Sequence, residues 1–190
     1  MTILTPTRTA SSPLQVQLLS RDDLLPVVPD MLWRIQRGIV CTQMWNEEGK
    51  PIVLGYWGVG DVVGQPLTGM QVFEIRCLTT VEASILHQEE WQQALESVLQ
   101  QAQRTEELLK IMLCQGVSQK LWQFLVFLSH KFGREVGAGW AIDLALTHQD
   151  IANAIGTTRV TVTRMLQQFE AEGKLRREKR QLILCQASRD

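Results

Sequence analysis

Residues 146–169, LTHQDIANAIGTTRVTVTRMLQQF, constrain this chain more than any other stretch. Thr147 stands three residues before Asp150, the spacing of a capping box at a helix start. Ile151, Ala152 and Ile155 then give one apolar face. Gly156 permits a tight turn between two short helices. Thr157 or Thr158 caps a second helix whose inward positions are Val162, Met165, Leu166 and Phe169. Its outward start is Arg159, Val160, Thr161, Thr163 and Arg164, with no acid among them. The spacing predicts a helix-turn-helix. Such a motif presents the start of its second helix to base edges, where arginine pairs with both acceptors of a guanine. The plainer alternative is a buried helical hairpin with a Thr-rich exposed turn.

The segment C-terminal to this motif favours double-stranded DNA as the partner. Gly173 closes the second helix, and residues 174–185, KLRREKRQLILC, read as two short strands around a charged turn. This is the pattern of a wing. Lys174, Arg176, Arg177, Lys179 and Arg180 would lie near phosphates, which add affinity without reading sequence. Charge is distributed accordingly. Residues 1–115 hold 8 Lys and Arg against 13 Asp and Glu, and residues 116–190 hold 11 against 7. A basic C-terminal third on an acidic remainder fits a nucleic-acid module joined to a sensing or assembly module.

The N-terminal half has another rhythm. Short apolar runs at 32–35, 39–45, 52–57, 62–63 and 73–86 alternate with turns such as Asn46-Glu47-Glu48-Gly49-Lys50. Strands at roughly ten-residue spacing predict an antiparallel barrel or jelly roll. Residues 87–115 then read as one amphipathic helix, about 42 Å long at 1.5 Å per residue. Leu95, Ala102 and Leu109 are seven apart, as are Val98, Thr105 and Met112, and the two rows predict a seam for pairing with a second copy. Trp91, Leu99, Leu108 and Leu113 fall off that seam, toward the barrel. The fold expected is α+β: a mobile tail (1–13), a β-roll (14–86), a dimerisation helix (87–115) and a winged helix-turn-helix (116–190).

Several classes find no support. No apolar run approaches the 18 residues of a membrane span, and the Thr/Ser/Pro-rich start lacks the apolar core of a signal peptide, so a cytoplasmic protein is expected. Cys41, Cys77, Cys114 and Cys185 are too scattered for zinc or an iron–sulfur cluster, and free thiols are expected. His87, His130 and His148 form no metal-binding cluster, and there is no Ser/His/Asp order and no GxxxxGK. Neither catalysis nor a bound cofactor is expected.

The order of barrel, dimer helix and winged helix resembles the cyclic-AMP receptor / fumarate-nitrate regulator superfamily of bacterial transcription factors, over nearly the full chain. The segments that carry the resemblance are LWRIQRGIV (32–40), GYWGVGDVVG (55–64), residues 81–86 and the helix-turn-helix. The last is similar to the cyanobacterial nitrogen-control regulators, and GYWGVGDVVGQPL points to a distinct cyanobacterial branch. The resemblance implies a homodimer that binds inverted repeats and works with RNA polymerase. It places Arg159 and Arg164 at the family's base-reading arginines. Val160 stands where cyclic-AMP-responsive members carry a glutamate that accepts from cytosine. Valine makes only apolar contact, so TGTGA half-sites are not expected and GTA…TAC-like ones are.

The effector pocket departs from the family. Gly64-Gln65-Pro66 replaces the Gly-Glu that holds a ribose, and residues 67–72 contain no Arg-Ser for a cyclic phosphate. A phosphate buried without a cation is costly, so cyclic nucleotide is disfavoured. The candidate pocket residues are Gly64, Gln65, Leu67, Arg76, Gln101 and Arg104. Gln101 falls where nitrogen-control members place an arginine for 2-oxoglutarate, with Arg104 about one turn later. Haem has no recognisable ligand spacing. The alternative function is a small-molecule or redox sensor acting through a protein partner.

Overall fold

The computed structural model describes residues 16–137, 139–178 and 181–185. The tail expected at 1–13 lies outside them. Among the described residues, eight strands form the N-terminal part: β1 (Val16–Leu19), β2 (Leu24–Leu25), β3 (Leu32–Arg37), β4 (Val40–Trp45), β5 (Pro51–Trp57), β6 (Val62–Gly64), β7 (Glu74–Cys77) and β8 (Val81–Leu86). They pair antiparallel into two four-stranded sheets, β1-β8-β3-β6 and β2-β7-β4-β5. Alternation along each strand turns one set of side chains inward. Trp33, Ile35, Val63, Val81 and Ala83 of one sheet thereby meet Leu25, Val40, Ile75 and Cys77 of the other. This is the expected β-roll.

Turns close it where the sequence marks them. Asn46 Oδ1 accepts from the backbone N–H of Glu48 (3.0 Å) and Lys50 (2.8 Å), an Asx-type closure of β4 onto β5. Gly38, at φ +87°, has no room for a side chain: a Cβ there would sit 2.2 Å from the Thr80 carbonyl oxygen.

The long helix is shorter than its periodicity suggests. Gln88–Ala94 winds as a 3₁₀ helix, and the α-helix, α1, is Leu95–Met112, 18 residues or about 27 Å. The Trp91 indole explains the tight first segment. It packs on Leu32, Val62, Leu86 and Ala94 and donates to the Leu86 carbonyl at 3.1 Å.

The rest is the predicted winged-helix unit with one extra strand. Helix α2 (Val117–Phe132) buries Leu121, Phe124, Leu125, Phe127 and Leu128. Strands β9 (Gly133–Val136) and β10 (Gly139–Ile142), then α3 (His148–Ile155), α4 (Arg159–Ala171), β11 (Leu175–Glu178) and β12 (Gln181–Leu184) follow among the described residues. The sheet order is β11-β12-β10-β9. Strand β9 has no signal in the sequence, because GREV lacks an apolar alternation.

A second, larger apolar cluster spans the junction of the two halves. Ile39, Cys41, Tyr56 and Leu78, on the outer side of β4, β5 and the turn after β7, join α2, α3 and α4 in a single buried cluster. The Tyr56 and Phe124 rings lie 5.7 Å apart. An ion cluster reinforces the junction: Asp61 accepts from Arg104 of α1 at 2.7 Å and from Lys131 of α2 at 2.9 Å.

Candidate DNA-binding surface

Local chemistry fixes the helix-turn-helix. Thr147 caps α3: its Oγ1 accepts from the Asp150 N–H (3.0 Å), and the Asp150 carboxylate accepts from the Thr147 N–H (2.9 Å) and hydroxyl (2.7 Å). Gly156 takes the left-handed conformation at φ +69°, which ends α3 without strain. Thr158 caps α4, its Oγ1 accepting from the Thr161 N–H at 3.2 Å. Val162, Leu166 and Phe169 then lie inward, with Trp122 edge-on to Phe169 at 5.4 Å. Gly173, at φ +70°, turns the chain into the wing.

The outward start of α4 is as the sequence implies for three residues and not for the others. Arg159 and Arg164 are exposed, and Val160 is 78% exposed, with no acid in the first turn. Thr161 and Thr163 are half-buried. The Thr163 hydroxyl donates to the Arg159 carbonyl (2.9 Å) and lies 2.7 Å from His148 Nδ1. Its hydrogen is spent within the protein. Thr147 and Thr158 likewise use their hydroxyls as caps, and Thr157 bonds through its backbone N–H to the Ala152 carbonyl at 2.9 Å.

The wing is the expected hairpin, anchored by buried Leu175, Ile183 and Leu184. Three of its cations are paired with acids: Lys174 with Glu172 (2.7 Å), Arg176 with Glu178 (3.5 Å) and Arg177 with Glu170 (2.7 Å). Such surface pairs are worth about 0–1 kcal/mol, so an approaching phosphate can displace them. Lys179 and Arg180 lie outside the described residues.

Two further bonds, beside those of Lys131, tie this unit to the roll. Arg76 of β7 gives Nη2 to Asp150 Oδ1 at 2.8 Å, and Arg21 gives Nη1 to the Ala145 carbonyl at 3.0 Å. Burial would raise the Asp150 carboxyl; the hydrogen bond from Arg76, then those from Thr147, outweigh it and hold the pKa below its ordinary value. The sequence carries no signal for this contact.

The candidate effector pocket divides. A cavity of about 350 Å³ lies between β4–β6 and α1, lined by Gly64, Leu67 and Gln101, together with Val98, Ala102 and Thr105 of α1. Among the described residues that line it, none is charged. Gln101 is buried and donates to the Val62 carbonyl at 2.6 Å. Gln65 is not in the lining, and the two expected cations are elsewhere. Arg76 bonds Asp150 and Asp22, and Arg104 bonds Asp61.

The six expected seam positions on α1 differ in exposure. Leu95, Ala102, Thr105 and Leu109 are exposed. Val98 packs on Leu32, Val62, Leu86 and Ala94, and Met112 on the large core, so both are engaged within the chain. Leu99 and Leu113, expected against the roll, are more than half exposed instead. Leu108 and Trp91 do pack inward.

A β-roll joined through a long helix to a winged helix-turn-helix defines a DNA-binding transcription regulator. Residues 119–189 match the Crp-like helix-turn-helix domain. Over 186 residues the chain is 38% identical to the Regulatory protein CysR of Synechococcus elongatus, spanning 96% of this chain and 90% of that one. Over 63 residues it is 44% identical to the Global nitrogen regulator of a Nostoc species, spanning 33% of this chain and 28% of that one. Among solved structures, a transcriptional regulator of the CRP family from Thermus thermophilus superposes with TM-score 0.76 at 18% identity, covering 90% of this chain and 92% of that one. A cyclic nucleotide-binding domain containing protein from Listeria monocytogenes superposes with TM-score 0.79 at 11% identity, covering 90% and 89%. The chain belongs to the CRP/FNR superfamily of transcription regulators.

Proposed function

We propose that the chain is a cytoplasmic, homodimeric regulator that binds an inverted-repeat DNA site, works with RNA polymerase, and takes no cyclic nucleotide as effector. The observation that carries the DNA-reading part is the start of α4. Arg159, Val160 and Arg164 stand exposed on a helix whose first turn has no acid. In a dimer the two such helices enter successive major grooves, about 34 Å apart. Val160 offers only a methyl-bearing surface, which suits a thymine methyl and cannot accept from cytosine. The uncharged lining of the cavity beside α1 disfavours a cyclic phosphate, whose burial without a cation is costly.

Selection from random duplex DNA with the full chain tests this. The expected product is an inverted repeat with GTA-like half-sites, the same with and without cyclic AMP. Recovery of TGTGA half-sites, or enrichment only with cyclic AMP, would overturn it. On the selected site, Arg159→Ala is expected to cost about 1–3 kcal/mol and to relax preference at one base pair. Arg176→Ala is expected to weaken all sequences alike and to reduce the salt slope by about 1. Gel-shift titrations at several salt concentrations separate these two behaviours.

A further inference from the structure

We propose that His148 is a positioning residue for the recognition helix, holding its first turn through Thr163 with a proton kept on Nδ1. The inference rests on the DNA-binding reading of α4. A threonine hydroxyl has one hydrogen and two lone pairs. Thr163 gives that hydrogen to the Arg159 carbonyl, at 2.9 Å. At the 2.7 Å contact with His148 its oxygen must therefore accept, which requires hydrogen on Nδ1. The result is a directed relay: His148 Nδ1–H to Thr163 Oγ1–H to the carbonyl of Arg159. It runs from the first residue of α3 to the residue of α4 best placed to read a base.

The relay needs the ring where it stands. His148 directly follows the capping residue Thr147, and the capping box sets its backbone. The ring is half-buried and shares a surface cavity with Arg21, Leu146, Arg177 and Gln181. The charged groups around it are Arg177 on β11, Arg159 and Glu170 on α4, and Arg21 on the roll side. Burial first, then Arg177 and Arg159, hold its pKa below the ordinary histidine value, against Glu170. The neutral ring is thus favoured, and its Nδ1–H tautomer completes the bond. Protonation adds hydrogen at Nε2 and leaves the Nδ1 donor in place. The relay persists in both charge states.

Asparagine can place an amide N–H close to the position of Nδ1, whereas glutamine reaches toward that of Nε2. The test uses the full chain and the selected site, and compares binding to that site with binding to one mutated at the base pair that Arg159→Ala relaxes. His148→Ala is expected to lower the discrimination ratio about five- to tenfold, the worth of one net hydrogen bond. His148→Gln should match it, and His148→Asn should stay within about twofold of the parent. Affinity for unrelated DNA should move little in all three. A purely structural role would instead lower both affinities together, in step with the thermal midpoint. Nitrogen-15 shifts of the imidazole give a second reading that needs no DNA: Nδ1 protonated and Nε2 bare at neutral pH.

The opposite tautomer overturns the proposal, as does an alanine variant with undiminished discrimination or an asparagine variant no better than alanine. A parent protein that selects no site defeats the DNA-binding reading itself, and this inference with it.

Discussion

Asp61→Ala is expected to destabilise the folded chain by about 3–5 kcal/mol, the cost of removing one partner from a buried ion cluster. Asp61 is 4% exposed and each oxygen is used. Oδ1 takes Arg104 Nη1 at 2.7 Å; Oδ2 takes Lys131 Nζ at 2.9 Å and the Gly58 N–H at 2.8 Å. The Lys131 side chain is 7% exposed, donates also to the Tyr56 carbonyl, and lies over the Trp57 and Phe132 rings. Without Asp61 a buried ammonium keeps one carbonyl and two ring faces. The three groups belong to the loop after β5, to α1 and to α2, so the loss is felt where the roll, the long helix and the DNA-binding unit meet. Urea unfolding of the purified protein reads it directly. A loss under about 1 kcal/mol would mean that water replaces the carboxylate at little cost.

The same cluster sets a pH dependence with an unusual sign. Burial lowers the Lys131 pKa from its ordinary 10.5 to about 8, against the pull of Asp61. The folded chain then releases this proton before the unfolded chain does. Between pH about 8 and 10.5 the unfolded state binds more protons, so this group's contribution to stability rises with pH. Lys131→Met should abolish that rise in denaturation curves taken across the window.

Residues 146–169 are legible in the sequence because what shapes them is local. A capping box, a left-handed glycine and a second hydroxyl cap lie close together in the chain and need no distant partner. The roll strands are legible through their turns, as at Asn46 and Gly49. What the sequence hides is set by packing between remote segments. Nothing near Arg76 says that it bonds Asp150, 74 residues on, rather than facing a ligand pocket. His148 reads as a scattered histidine because its partner lies on the next helix. On α1 the row of Leu95, Ala102 and Leu109 is visible in the sequence and exposed in the structure; beside it Leu99, Glu106 and Leu113 are exposed too, while Val98 and Met112 are partly buried. Val98, Thr105 and Met112 repeat every seven, as do Leu99, Glu106 and Leu113, and the glutamate makes the second row look polar. Only the contact of Val98 with Leu32 and Val62 decides between them.

That exposure carries the second large prediction. Leu95, Leu99, Leu109 and Leu113 are each more than half exposed, and with Ala102 and Glu106 they occupy successive a and d positions of a heptad. A buried leucine side chain is worth about 1.5–3 kcal/mol relative to an exposed one, so four on one stripe provide a strong drive to pair. We therefore assign the proposed dimer seam to these six positions, with Leu99, Glu106 and Leu113 in place of Val98, Thr105 and Met112. Leu99→Glu with Leu109→Glu should convert the protein to monomers at micromolar concentration, seen by sedimentation equilibrium. It should also lower affinity for the inverted repeat by at least about 100-fold, because the second half-site is then no longer bound intramolecularly. The thermal midpoint of the monomer should change little, since neither leucine contributes to the chain's own core. Glu106→Leu should act in the opposite direction and tighten the dimer by removing a carboxylate from the seam. Val98→Ala should lower stability with no separate effect on association, since Val98 packs on its own roll. If Leu99→Glu and Leu109→Glu left the mass dimeric while Val98→Ala dissociated it, the row through Val98, Thr105 and Met112 would be the right one.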